Sequence, residues 1–353
     1  MTFTSAFSKY FKYFKYFLII FSISVLTVFM CGCIENPIGQ GNLGGFDHDH
    51  DHEHNYVHNH DHDHDYNHDH DHDHLHWNDE DVDYVPLDNS SMESVISGDK
   101  ILVAVSMVPQ TEFVEKVGGR RVVAISMVPP GAGHNYDPSP RQLEDLAKAK
   151  IYFSLDSGEP FENKHLKTFS ETNPNLKIVS TSKGMNLIRS EKSIDPHTWT
   201  SPKEVQIAVE NIYEGLKSID PENESYYFKN KESYISELKS LDSYIENALS
   251  NKENRTFIVY HPAWGYYARD YNLTQIAIEL DGKEPSAKSV KNLVDRAKKE
   301  NVKVVFVQKQ LSQSYAESIA KEIGGTVISV DPLAKNYVEN TKYMTDILKE
   351  NMS

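Results

Sequence analysis

The chain has 353 residues, 39% of them apolar, and a formal charge of −16, enough for one large or two medium domains. The charge is unevenly spread: residues 46–88 hold 15 acidic side chains and no Lys or Arg, whereas residues 99–353 carry 33 basic and 35 acidic ones. No basic patch stands out, so nothing supports a nucleic-acid partner.

Residues 1–33 read as an export segment. Lys9, Lys12 and Lys15 precede an uncharged run from Phe17 to Met30, the charged and apolar parts of a signal sequence. The run ends in Met30-Cys31-Gly32-Cys33, a lipoprotein-like processing site with Cys33 as the lipidated residue. Met30 and Cys31 replace the usual small aliphatic pair, so an uncleaved N-terminal anchor is the alternative. Either way the chain is expected on the extracytoplasmic face of the membrane. Both cysteines are used here, so the folded part has neither a disulfide nor a thiolate metal site.

Residues 34–98 read as a disordered linker rich in His and Asp. Thirteen of the seventeen histidines lie between His48 and His76, alternating with Asp and Asn. The tract has almost nothing to bury, and imidazole and carboxylate are ligands of divalent transition metals. A solvated acidic linker is the plain alternative to a tract that supplies additional weak divalent sites.

From Lys100 onward, short β-branched runs alternate with helical patterns. Strands are expected at about 101–105, 121–125, 151–155 and 176–180, and again at 256–260, 273–279, 303–307 and 326–330. Helices are expected at 140–149, from near Pro202, at 286–300, 312–323 and 337–350. This alternation predicts an α/β fold of two lobes, each a parallel sheet flanked by helices. The lobes are expected over 99–220 and 252–353. Between them, residues 221–251 carry Tyr227, Tyr234, Leu238, Leu241, Tyr244 and Ile245 at roughly helical spacing, with no Pro or Gly from Glu222 to Asn251. One long helix joining the lobes is the simplest reading.

Four histidines lie outside the tract. His165 sits in a helical pattern without turn residues and reads as an ordinary surface residue. His134, His197 and His261 each lie in a loop near proline and aromatics, and Asp331 follows the last expected strand. Ligands in α/β proteins gather beyond the carboxyl ends of strands, so these four form a candidate metal set. Three neutral imidazoles and one carboxylate favour zinc, and a manganese site is expected to carry more oxygen; geometry and supply leave manganese, iron and cobalt open. Pro196, Pro262 and Pro332 would restrain the loops, and Tyr136, Trp199 and Trp264 are candidates to wall the cleft from water. With Asp331 as a base instead of a ligand, zinc-dependent hydrolysis is the competing chemistry, although no HExxH pair is present.

The motifs VPPGAGHNYDPSP, DPHTWTSP, YHPAWGYYARDY, VVFVQKQLSQSYAESIAKEIGG and DPLAKNY, in this order, resemble the zinc- and manganese-binding solute-binding proteins of ABC importers. The resemblance spans residues 100–353 and implies two α/β lobes, one long connecting helix and metal between the lobes. It implies His134, His197 and Asp331 as ligands, and His261 at the position where manganese receptors usually have glutamate. It further implies a non-enzymatic receptor, monomeric, that captures Zn2+ (Mn2+ or Fe2+ being the alternatives) for a membrane permease and its cytoplasmic ATPase. A metal-sequestering or adhesive surface protein is the other role open to such a chain. Three departures stand out. Asp137 replaces a longer acid, Gln308 and Lys309 replace an acid and a proline, and the His/Asp-rich segment precedes the first strand instead of lying within the first lobe.

Overall fold

The computed structural model describes residues 84, 86–191, 193–279, 285–308 and 313–352. The export segment with Cys33, the His48–His76 tract and Lys309 lie outside the described residues. Among the described residues no helix is long and apolar enough to cross a membrane.

The first lobe runs α1 (Asn89–Ile96), β1 (Ile101–Val105), α2 (Val108–Gly118), β2 (Val122–Ser126), α3 (Pro140–Leu146), β3 (Ile151–Ser154), α4 (Pro160–Thr172), β4 (Lys177–Ser180) and α5 (Pro202–Ile219). Its four strands pair in parallel in the order β2-β1-β3-β4. Every residue of β1 is buried, as a central strand covered on both faces requires. Helix starts follow local chemistry: Ser139 caps α3 and Ser201 caps α5, with proline in the first turn of each. Helix α1 lies inside the stretch read as linker. Its Val95, with Leu87 just before the helix, packs against the core, and the Tyr84 hydroxyl donates to Asp145 at 3.1 Å. Eight residues with one polar face gave too short a pattern to anticipate it.

After a short 3-10 turn at Pro221–Asn223, α6 (Glu224–Leu249) runs unbroken for 26 residues, ~39 Å at 1.5 Å per residue. It packs on α2 and α5 and on α10 (Tyr337–Asn351), so one helix spans the backs of both lobes. The second lobe adds β5 (Thr256–Val259), α7 (Gly265–Asp270), β6 (Thr274–Ala277), α8 (Ala287–Lys299), β7 (Val304–Val307), α9 (Gln313–Ile323) and β8 (Thr326–Ser329). Its sheet is also parallel, in the order β6-β5-β7-β8.

The two-residue period of the strands divides the second lobe between two cores. Phe257, Val259, Val304 and Phe306 join the core that also holds the first lobe and α6, whereas Ile258, Val305 and Val307 face α8 and α9. The lobes therefore share a continuous apolar core. Polar ties reinforce it near the front: Trp199 Nε1 donates to Pro332 O at 2.8 Å, Ser201 Oγ bonds Asp270, and Arg269 pairs with Glu204 and Asp270.

Gly215 marks a close helix–sheet approach in the first lobe. A Cβ there would lie 2.4 Å from Phe153 Cε1 and 3.2 Å from Ile151 Cδ1, both in β3. Alanine gains roughly 1 kcal/mol of helix propensity but incurs an overpacking cost of about 1–3 kcal/mol. Gly215→Ala is therefore expected to destabilise by about 1 kcal/mol, read as a lower urea midpoint with an unchanged slope.

Candidate metal centre

The carboxyl ends of both sheets converge on one cavity of about 20 Å3, room for about one water-sized species. His134 reaches it from the loop after β2, His197 from the segment after β4 and His261 from two residues beyond β5. One nitrogen from each lies within 4.8 Å of the others. Their ring centroids are 5.1 Å apart for His134–His197 and His197–His261, and 5.5 Å for His134–His261.

Each imidazole has a carboxylate behind it. His134 Nδ1 lies 2.9 Å from both Glu159 oxygens, His197 Nδ1 lies 2.8 Å from Asp195 Oδ1, and His261 Nδ1 lies 3.2 and 3.3 Å from the two Glu279 oxygens. A carboxylate accepts, so each Nδ1 carries the proton and each Nε2 is left as a lone pair aimed inward. His197 Nε2 and His261 Nε2 stand only 3.2 Å apart. Lone pairs converging at this range repel unless a proton or a cation lies between them.

The carboxylates are fixed by the fold. Glu159 is the N-cap of α4, accepting from Phe161 N–H at 3.3 Å, and is wholly buried. Asp195 accepts the His197 backbone N–H at 3.0 Å, so backbone and ring are seated on one oxygen. Glu279, two residues past β6, is buried as well. These environments act unequally on the rings. Burial pushes the His134 imidazole down, but the hydrogen bond and charge of Glu159 outweigh it and hold the ring above its ordinary value. Burial dominates at His197 and holds it below its ordinary value despite Asp195.

The structure thus brings together His134, His197 and His261 and leaves Asp331 outside that cluster. Asp331 lies two residues past β8, and its Oδ1 accepts the Leu333 N–H at 2.9 Å. Its neighbours Pro332 and Leu333 line the cavity. Of the three aromatic residues expected to wall the cleft, Trp199 does so; the Tyr136 hydroxyl turns to Gln142 and Trp264 packs edge-on against Tyr267. Gln308 is buried and lines the cavity.

His165 lies outside the cluster, but it is not a surface residue. Its side chain is 13% exposed, lies between Phe161 and Phe169, and brings Nε2 to 3.1 Å from Asp137. Lys164 also pairs with Asp137, so α4 braces the loop that carries His134. Sequence reasoning missed Glu159, Asp195 and Glu279; only Asp195, two residues before His197, offered a local signal.

Comparison with known proteins agrees with this architecture. The family described as "Zinc-uptake complex component A periplasmic" matches residues 103–351. The high-affinity zinc uptake system protein ZnuA of Bacillus subtilis is 29% identical over 280 residues, covering 72% of this chain and 86% of that protein. A crystal structure of ZnuA superposes with a TM-score of 0.70 at 38% identity, covering 72% of this chain and 100% of that one. The Zn(II)-bound ZnuA-like domain of Streptococcus pneumoniae AdcA gives 0.62 at 26% identity, with 72% and 99% covered. With its two parallel-sheet lobes and a trio of carboxylate-backed histidines between them, the chain belongs to the ZnuA family of periplasmic zinc-uptake components.

Proposed function

We propose that this protein captures Zn2+ outside the cytoplasm and delivers it to the permease of an ABC importer, whose ATPase drives uptake. The observation that carries the reading is the convergence of three imidazole nitrogens within 4.8 Å, each ring backed by a carboxylate. His134, His197 and His261 are the proposed ligands, and Asp331, which stands outside their cluster, is proposed to complete the set as the fourth. Three imidazoles suit zinc better than manganese, which prefers oxygen-rich sites. The zinc uptake role of the Bacillus subtilis ZnuA relative and the Zn(II)-bound AdcA domain support the same cargo.

The function is capture and release, without bond chemistry. Zinc binding satisfies the three inward lone pairs and offsets the negative charge of Glu159, Asp195 and Glu279. The shared core and α6 restrict wide hinge opening, so loading is read by the permease through the loops around the cleft and a small change in lobe arrangement. Tethering through a lipid on Cys33, or through an uncleaved N-terminal anchor, keeps the receptor at the membrane. The His48–His76 tract adds weaker divalent sites, and the receptor acts as a monomer.

The test is titration of the full chain with Zn2+, with Mn2+ in large excess as competitor. One tight zinc equivalent that resists manganese, followed by weaker equivalents from the tract, is the expected result. A chain with weak equivalents alone, or one whose tight site yields to manganese, contradicts the assignment.

A further inference from the structure

The carboxylate that orients His197 is itself held from the opposite lobe. Residues 188–191 and 193–195 run antiparallel: Arg189 bridges Ile194, and Asp195 N–H donates to Ile188 C=O at 2.9 Å. In a regular antiparallel ladder the reverse bond, Ile188 N–H to Asp195 C=O, completes this pair. Here the Tyr266 hydroxyl takes its place. It accepts from Ile188 N–H at 3.1 Å and donates to Asp195 C=O at 2.7 Å. Tyr266 is fully buried, so water does not readily substitute for either bond.

The residue before it closes the other side of Asp195. A Cβ on Gly265 would stand 2.4 Å from Asp195 Oδ2, so the carboxylate rests against bare backbone at the start of α7. Asp195 then gives its other oxygen, Oδ1, to both the backbone N–H and the ring Nδ1 of His197. Gly265 and Tyr266 follow His261 by four and five residues in the second lobe. One short segment therefore carries the second lobe's own imidazole and fixes the support of an imidazole from the first lobe.

We propose that Tyr266 is a positioning residue of the metal site: by closing the Ile188–Asp195 backbone pair from the second lobe it seats Asp195, and through it the direction of His197 Nε2. The first lobe then presents His197 correctly only while α7 is docked, which couples lobe apposition to metal affinity. This rests on the reading of His197 as a ligand.

The test measures zinc affinity of the full chain by chelator competition for the parent, Tyr266→Phe, Asp195→Ala and the double variant. All share the His/Asp tract, so differences among them report the cleft. Tyr266→Phe is expected to weaken zinc about 10-fold, the low end for groups behind a ligand, and to alter the visible bands of the Co2+-loaded protein. In the Asp195→Ala background the same change is expected to cost less than about twofold, because the route through Asp195 is already gone. Parental affinity and an unaltered cobalt spectrum in Tyr266→Phe overturn the proposal, and so does an equal loss in both backgrounds.

Gly265→Ala provides a second route that keeps the hydroxyl and presses on Asp195. It too is expected to weaken zinc, and parental affinity there overturns the proposal even where Tyr266→Phe fails to fold. His197→Ala separates the two levels. Tight zinc that survives His197→Ala removes the ligand assignment and this proposal with it. Tight zinc lost in His197→Ala but unaffected by Tyr266→Phe removes the positioning role alone.

Discussion

Replacing His197 with alanine is expected to weaken zinc binding by a factor of about 10²–10³. Structural zinc sites bind with roughly 10–16 kcal/mol, so one ligand of four accounts for about 3–4 kcal/mol, and each 1.4 kcal/mol is a factor of ten. His197 is the sharpest choice among the three because it is central. Its ring lies 5.1 Å from each of the other two, and its Nε2 is the one that faces His261 Nε2 at 3.2 Å. The substitution also leaves Asp195 with a buried-side oxygen that has lost its ring partner. Two measurements check the result: chelator competition for affinity, and the zinc-dependent rise in melting temperature. At a zinc concentration 100 times Kd the parent gains about 2.7 kcal/mol of stability, and the variant at the same concentration gains almost none. A zinc-induced shift of parental size in His197→Ala contradicts the interlobe site.

Much of this architecture is legible in the chain because two periodicities dominate it. All eight strands lie within one to two residues of the β-branched runs that announce them, since buried parallel strands need continuous apolar sequence. The long helix is legible because Tyr227, Tyr234, Leu238, Leu241 and Ile245 must all face the shared core. Its start differs slightly: Pro221 opens a 3-10 turn, and the α-helix begins only at Glu224. Helix α7 was illegible, because six residues with two aromatics carry no readable period. The three histidines were found by a placement rule, loops beyond strand ends, which says nothing about approach distance. That is why Asp331 satisfied the same rule yet stands outside the cluster. The carboxylates behind the rings were hidden for a related reason: Glu159 lies 25 residues from His134 and Glu279 lies 18 from His261, pairings that only the folded chain brings about.

Acidification is expected to release zinc, with His134 protonating ahead of His197. Binding needs neutral imidazoles, so a falling pH sets protons against the cation at each ligand. Burial alone would protect His134 from protonation, but Glu159 outweighs it and raises the ring above its ordinary value, so this ring takes up a proton before His197 does as pH falls. His197, held below its ordinary value by burial, resists protonation to lower pH. Once pH drops below the His134 value, each unit costs about a factor of ten for that proton, and the slope steepens as further rings titrate. Between pH 7.5 and 5 the affinity is therefore expected to fall by more than about 10-fold. Glu159→Gln tests the cause. An amide oxygen is a weaker acceptor for Nδ1–H, so the variant is expected to bind zinc about 10-fold more weakly at pH 7.5. Without the carboxylate charge, however, burial governs His134 and protonation moves to lower pH. The variant thus loses proportionally less affinity on acidification, and the two affinity–pH curves approach each other toward pH 5. Chelator competition at half-unit pH steps reads both curves. Parallel curves would show that Glu159 does not set the proton affinity of His134, and a flat parental curve would exclude imidazole nitrogens as the ligands.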